Sequence, residues 1–358
     1  MVTPNELMNK RILIAPLNWG LGHATRCIPI INALIENHFT PVIASDGMAL
    51  DLLKKEFPEL EHFELPAYHI SYPKNKQLFK LKLLQQAPKL LHAIQTEKKH
   101  LAELVESQHI QGIISDNRWG AYNKQVPSVF ITHQLQVLSG STTWMSSKIH
   151  ETFIENFDEC WVPDFEKSPN LSGKLGHTTL KNIPITYMGP ISRFSRKETP
   201  KKNDILVVLS GPEPQRSLLE KKLLEELEPF SGRVLFVRGV VEAHQTVEKI
   251  GCFTIYNFMT SPLLEAALNE SNLVISRSGY TTIMDLAQLG KNAFFIPTPG
   301  QFEQEYLAER LDRLGLVPYC LQDEFSLDKL EHTSKYKGLS DFDGATDYQK
   351  LFGLFQAK

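Results

Sequence analysis

The sequence predicts an α/β protein made of two similar parallel-sheet halves facing each other across a cleft. Three observations carry that expectation. Short apolar runs alternate with longer stretches of helical periodicity, the pattern restarts mid-chain, and a polar stretch separates the two runs of it. The first strand falls at residues 12–17 (ILIAPL). The loop Asn18-Trp19-Gly20-Leu21-Gly22-His23 follows it. Residues 24–37 then carry Cys27, Ile30, Ile31, Leu34 and Ile35 at helical spacing. A second strand is expected at 41–45, and runs at 113–116, 128–131 and 159–162 continue the sheet. After Gly189-Pro190 comes a stretch with Arg193, Arg196, Lys197, Pro200, Lys201 and Lys202, suited to a linker. Strands are then expected at 205–209, 233–237, 253–256, 273–276 and 293–297, with helices between them and one at 217–227. The expected organisation is a first domain over 1–190, a linker over 191–203, a second domain over 204–335 and a tail over 336–358.

Composition narrows the function classes. A chain of 358 residues suits about two domains. With 42% hydrophobic and 22% charged residues it reads as globular. A net charge of -3 gives no global field to hold nucleic acid, so no nucleic-acid partner is expected. No apolar run approaches the roughly 18 residues of a membrane span. Residues 1–11 are polar and the run after them is brief, which argues against a signal peptide. Cys27, Cys160, Cys252 and Cys320 form no CxxC pair and fit buried thiols in a reducing cytoplasm.

In an open parallel sheet, ligands meet the carboxyl ends of the strands, so the loops just after strands matter most. Gly20, Gly22 and His23 occupy one of them. Glycine lets a backbone approach a ligand closely, and the helix start offers free N–H groups. Thr25 stands where a dinucleotide GxGxxG would need its last glycine. His23 reads as a general base or as a histidine that caps the helix. Ser276-Arg277-Ser278-Gly279-Tyr280-Thr281-Thr282 opens another helix after a buried strand, where hydroxyls and amides can hold a diphosphate without a metal, or form an ordinary helix cap. Arg277 adds charge there or points elsewhere. Asp285, one turn on, accepts from a sugar diol or complements the helix dipole. Residues 300–305 (GQFEQE) suit sugar hydroxyls or a solvated helix start. Asp341-Phe342-Asp343, with Asp347 near, has the form of a metal-holding DxD, but no apolar strand precedes it and surface charge is the expectation. Lys74, Lys76, Lys80, Lys82 and Lys89 alternate with Leu78, Phe79, Leu81, Leu83, Leu84, Leu90 and Leu91. This reads either as an interfacial helix on anionic lipid or as an amphipathic domain helix with a solvated lysine face, and Pro88 is expected to interrupt it. No P-loop, GxSxG or HExxH motif is present.

Taken together these loops resemble the GT-B glycosyltransferases of the MurG-like group (family 28). The strongest match spans residues 258–315. It includes Leu273-Val274-Ile275-Ser276-Arg277-Ser278-Gly279, Asp285-Leu286-Ala287-Gln288-Leu289-Gly290, Pro297 and Gln304-Glu305-Tyr306. The resemblance implies that Arg277, Ser278, Gly279 and Thr281 face the donor diphosphate, with Ser210 and Gly211 as the other phosphate-side turn and Gln215 its polar continuation. It implies that Asp285 binds the ribose, that the stretch around Phe258 and Met259 holds the base, and that Gln304 and Glu305 bind the donor sugar. His23 matches the family's histidine near the acceptor and the reactive carbon. The loop here is GLGH and not the GGH of the cell-wall enzyme, so that enzyme's acceptor does not carry over. Asp116 and Asn117, after a strand at the cleft, are the expected acceptor contacts beside Gly20 and Gly22. The specific motifs cover about a quarter of the chain. A final helix crossing back to the first domain is usual for the fold.

The expected function is an inverting, metal-independent transfer of a sugar from a nucleoside-diphosphate donor, UDP foremost, to an acceptor hydroxyl. No cofactor and no metal site are expected. The expected acceptor is a sugar or a lipid-linked sugar, with peripheral membrane contact through 74–91 at the inner face of the cytoplasmic membrane. The rival readings are a nucleotide-sugar hydrolase or epimerase on the same fold, and a non-catalytic nucleotide-sugar binding protein.

Overall fold

The structure is a computed structural model that describes residues 9–68, 79–138, 143–240, 242–342, 344 and 346–356, without the side chains of 79–87. The first sheet holds β1 (Arg11–Pro16), β2 (Thr40–Ser45), β3 (Glu61–Glu64), β4 (Gly112–Asp116), β5 (Ser128–Ile131), β6 (Glu159–Val162) and β7 (Ile185–Tyr187). Every pairing in it is parallel, in the order β3-β2-β1-β4-β5-β6-β7. The order reverses between β1 and β4, which opens a crevice at their carboxyl ends. The helices here are α1 (Gly22–Glu36), α2 (Gly47–Glu56), α3 (Phe79–Ser107) and α4 (Thr143–Ile154). Ile12, Leu13, Ile14 and Ala15 of β1 are fully buried, as a strand covered on both faces requires. Ala24, Cys27, Ile30, Ile31 and Leu34 of α1 cover one of those faces.

The second sheet holds β8 (Asn203–Val208), β9 (Val234–Val237), β10 (Val247–Ile250), β11 (Phe253–Tyr256), β12 (Ser271–Ser276) and β13 (Asn292–Phe295), in the order β10-β11-β9-β8-β12-β13. Only the β10–β11 pair is antiparallel among these. Its helices are α5 (Gln215–Glu226), α6 (Ser261–Asn269), α7 (Tyr280–Gln288) and α8 (Phe302–Arg313). The last helix, α9 (Tyr348–Gln356), packs on the first sheet's domain. Its Phe352 and Phe355 are fully buried, with ring centroids 5.7 and 6.4 Å from that of Phe39, and Lys10 Nζ donates to the Phe355 carbonyl at 2.9 Å.

Some sequence expectations need correction. α3 runs on through Pro88. A proline inside a helix removes one backbone hydrogen bond and crowds the preceding turn. Beyond it, Ile94, Leu101, Leu104 and Val105 anchor the helix to the domain core, and tertiary burial outweighs the local defect. Strands β3, β7 and β10 carry no clear apolar signal, because none of their residues is fully buried. Lys74, Lys76 and Leu78 lie outside the described residues, as does Asp343 of the DxD triplet. Phe342 of that triplet is a core residue beside Phe165, with ring centroids 6.2 Å apart. Among the described residues, no helix is long and apolar enough to cross a membrane.

Candidate active site

The centre of the site lies where the sheet order reverses. Asp116 is the last residue of β4, and His23 stands in the first turn of α1, just beyond the β1 loop. His23 Nδ1 lies 2.8 Å from Asp116 Oδ1. Arg26 Nη2 lies at the same 2.8 Å from this nitrogen, so Nδ1 donates to Asp116 in one tautomer and accepts from Arg26 in the other. In the tautomer that donates to Asp116, Nε2 carries the free lone pair. Asp116 is fully buried and is clamped from its other side by Arg26, whose Nε and Nη2 donate to the two carboxylate oxygens. Burial alone would raise the Asp116 carboxyl; Arg26 and His23 outweigh it and hold the group well below the carboxylate range. For His23, burial is the largest influence and lowers its pKa, with Arg26 adding to it and Asp116 opposing it.

Arg26 also links this pair to the other domain. Its Nη1 lies 3.1 Å from His133 Nδ1, and His133 Nε2 lies 2.8 Å from Glu303 Oε1 at the start of α8. The guanidinium can only donate, so His133 accepts at Nδ1 and donates from Nε2 to Glu303. Gln134 donates to the other Glu303 oxygen. The His133 ring stacks on Tyr280, the first residue of α7, with centroids 4.3 Å apart and planes 6° apart. Tyr280 in turn donates its hydroxyl to the Pro163 carbonyl at 2.8 Å. Hence one continuous polar path, Glu303–His133–Arg26–Asp116–His23, crosses the cleft.

The start of α7 meets Gly22, the residue before His23. Its first amides have no carbonyl one turn back to bond. Thr281 Oγ1 donates to the Gly22 carbonyl at 3.3 Å, so the glycine loop and the helix start are in contact. A Cβ on Gly22 would come within 3.0 Å of that hydroxyl, which is why this close approach needs glycine. Ser278, fully buried, donates to the Gln304 carbonyl at 2.8 Å. Ser210 and Gly211 form the turn after β8, where the backbone of Gly211 has φ +103°. Close to Gly211 is Thr298, a buried residue whose hydroxyl has no hydrogen-bond partner among the described residues.

The other expected site residues have the following partners. The Arg277 guanidinium is buried below the loop and donates to the carbonyls of Ile296, Pro297 and Gln215 and to Gln322 Oε1. Burial lowers it to about 10. It braces the frame of the turn through these four bonds. Gln215 belongs to the same brace, accepting from Gln322 at 3.2 Å. Gln304 Oε1 accepts from the Thr298 amide at 2.8 Å, and Glu305 Oε1 accepts from the Gly300 amide at 2.7 Å, so both staple the 298–301 turn. The side chain that reaches across the cleft is Glu303. Asp116 is no surface contact for an acceptor but the buried partner of His23, and Asn117 beside it takes φ +61° to turn the chain. Asp285 accepts from Ser192 at 2.5 Å; burial raises it to about 6 against that bond and Arg193. The Phe258 amide and carbonyl are bonded to Asn257 and Gln245, and Met259 packs on the main core.

The sequence reading missed Arg26, His133, Gln134 and Glu303. Arg26 lies three residues after His23, hence on the same helix face, and His133 follows the end of a buried strand. Both signals were present. Among the described residues, no group of three His, Cys, Asp or Glu side chains is arranged to hold a metal ion.

Residues 212–336 match the glycosyltransferase family 28 C-terminal domain. The UDP-N-acetylglucosamine–N-acetylmuramyl-(pentapeptide) pyrophosphoryl-undecaprenol N-acetylglucosamine transferase of Buchnera aphidicola is 25% identical over 213 residues, 58% of this chain and 56% of that one. An uncharacterized glycosyltransferase of Methanopyrus kandleri is 21% identical over 324 residues, 86% of this chain and 88% of that one. The chain thus spans about half the length of the Buchnera relative. Among solved structures, Acinetobacter baumannii MurG aligns with a TM-score of 0.60 at 12% identity, covering 98% of this chain and 100% of that one. The spinosyn rhamnosyltransferase SpnG complexed with thymidine diphosphate aligns with a TM-score of 0.62 at 14% identity, covering 97% and 96%. These likenesses identify two parallel-sheet domains in the GT-B arrangement. The chain shares the GT-B fold with these structures, and its residues 212–336 match the glycosyltransferase family 28 C-terminal domain.

Proposed function

We propose that the protein transfers a sugar from a nucleoside-diphosphate donor, UDP foremost, to an acceptor hydroxyl, with inversion at the anomeric carbon and without a metal. The observation that supports this reading is the His23–Asp116 pair on a loop whose Gly22 carbonyl meets Thr281 at the start of α7. The acceptor oxygen gives its proton to His23 Nε2 as it attacks the anomeric carbon. The bond from that carbon to the diphosphate oxygen breaks on the opposite face, and the nucleoside diphosphate leaves with the electron pair. Asp116 holds the imidazole in the tautomer this step needs and stabilises the imidazolium that forms. Charge growing on the leaving group meets preorganised donors at Ser278, Gly279 and Thr281 and at the Ser210-Gly211 turn. The unpartnered Thr298 hydroxyl beside that turn supports an acceptor-rich ligand there, since a buried polar group left unpaired costs about 1–3 kcal/mol. In the same reading Asp285 takes the ribose, Phe258 and Met259 the base, and the α8 start around Gln304 and Glu305 the donor sugar. The acceptor in this reading is a sugar or a lipid-linked sugar; the undecaprenol in the Buchnera relative's name supports the lipid-linked class, not that enzyme's own acceptor.

The test is His23→Ala with UDP-sugar donors. A general base contributes about 100- to 10,000-fold, so kcat should fall by at least the lower figure. NMR of the product's anomeric proton should report inversion, and EDTA should leave the rate unchanged. Near-normal transfer by His23→Ala would remove this residue from the base role, and strict metal dependence would remove the amide-based account of the leaving group. Free sugar released without any acceptor would favour the hydrolase.

A further inference from the structure

Lys291 is a buried lysine that the site described above does not use. It stands between α7 and β13, at the amino end of the second sheet, and is only 6% exposed. Lysine is seldom buried to this degree without an anion beside it. Its Nζ donates to the Ser271 carbonyl at 2.5 Å. Lys201, which precedes β8, donates its Nζ to the Asn269 carbonyl, also at 2.5 Å. Those two carbonyls are two residues apart in the chain, so the two ammonium groups are neighbours. Arg196 closes the third side. A Cβ on Gly290, the residue before Lys291, would come within 3.0 Å of Arg196 Nη1.

The gathering of charge is one-sided. After burial, the influences on the Lys291 ammonium are Lys201 and Arg196, and together they lower it to about 7. The carboxylates of adjoining segments are engaged elsewhere. Glu270 pairs with Lys202 at 2.6 Å, Glu265 pairs with Lys197, and Asp341 accepts from Ser340 at 3.4 Å. Helix ends explain part of the cluster. α6 ends at Asn269 and α7 at Gln288, and a helix carboxyl end carries roughly half a negative charge. Two such ends make about one negative charge against three cations, so a positive excess remains.

We propose that Arg196, Lys201 and Lys291 form a binding site for a small oxyanion of the phosphate class, which pins the segment between the domains to the second domain. A guanidinium offers such an anion its planar fork, and two ammonium groups offer point charges. Arg196 and Lys201 come from the connecting segment and Lys291 from the second domain, so a shared anion joins the two. Other bonds already run the same way: Ser192 donates to Asp285 at 2.5 Å and the Lys197 amide donates to Asn269 Oδ1 at 2.9 Å. The site is separate from the start of α7. Ten residues lie between Tyr280 and Gly290, which is about 15 Å along a helix. Its existence does not depend on the transferase reading.

The test uses the full chain and inorganic phosphate, with sodium chloride at equal ionic strength as the reference. Thermal shift and the 31P line width of phosphate are the two readouts. Phosphate should raise the Tm of the natural protein above the chloride reference and broaden the line. Arg196 and Lys201 are exposed, so the double variant Arg196→Gln, Lys201→Gln should fold, and it should bind phosphate about tenfold more weakly or worse. The control Lys221→Gln, Lys249→Gln removes the same charge from exposed positions on α5 and β10 and should keep the full response. A double variant that binds phosphate as the natural protein does overturns the proposal and places the anion elsewhere, for instance at the start of α7. An equal loss in the control overturns it too, since bulk charge would then be the cause, and so does a natural protein that gives no phosphate response.

Discussion

The His23 imidazole stands between opposed influences. Burial disfavours its charged form, Asp116 favours it, and Arg26 sides with burial, so the net direction is down from 6.5. A base works when deprotonated. The kcat/KM profile should therefore rise through a midpoint below about 6.5 and be level at neutrality. A midpoint above 7 would contradict the assignment. Asp116→Asn tests the pair from the other side. It leaves the Arg26 guanidinium buried without its anion, which typically costs about 3–5 kcal/mol. Urea unfolding should show that loss, and a change under about 1 kcal/mol would mean that the ion pair is not formed in solution. Because the folded-state pKa of Asp116 lies below its ordinary 3.8, its contribution is complete above that pH and is lost as the pH falls further. The loop that carries His23 was legible in the sequence because glycines and a histidine stand between an apolar strand and a helix; its pairing with Asp116 was not. Arg26 gave only a spacing signal, three residues after His23, because a guanidinium on a buried helix face makes sense only once its partner, 90 residues away, is in place.

At the scale of elements, the return of α9 to the first domain depends on a missing side chain. A Cβ on Gly112 of β4 would come within 2.5 Å of Phe355 Cδ1 and 2.8 Å of Ile12 Cδ1. Gly112→Ala should therefore destabilise the protein by about 1–3 kcal/mol, the range for overpacked cores. Gly353, inside α9 itself, has nothing within 4 Å of a built Cβ. Gly353→Ala should be neutral or stabilising by up to about 1 kcal/mol, since alanine is the better helix former. Urea midpoints for both variants check the pair, and a Gly112→Ala protein as stable as its parent would show that α9 does not seat on β4. The central strands were legible because burial on both faces makes them read as unbroken apolar runs, as in residues 12–15. The strand Val247–Ile250 was hidden because all of its residues are exposed. The continuity of α3 was hidden because Pro88 is a local signal, and the contacts that override it come from the sheet below.

At the scale of the whole molecule, Glu303 ties the chemistry to closure. It belongs to the second domain, yet it accepts from His133 and Gln134 of the first. Burial would raise its carboxyl, and His133 outweighs burial and holds it low, so the charge that faces the first domain is maintained. When the domains part, His133 loses Glu303 and its stacking on Tyr280, and Arg26 loses the fixed imidazole that receives its Nη1. The base would then be fully held only in the closed protein, which ties proton removal to the presence of both substrates. The Glu303 side chain is 30% exposed, so solvent screens the link and its worth is about 1 kcal/mol, not the several of a fully buried pair. A double-mutant cycle of Glu303→Gln with His133→Ala, read on kcat/KM, should return a coupling near that value. Small-angle scattering of Glu303→Gln should show a larger radius of gyration than the natural protein, with UDP affinity preserved because the donor loops are untouched. Additive effects within about 0.3 kcal/mol, together with unchanged scattering, would mean that closure and the base are set independently.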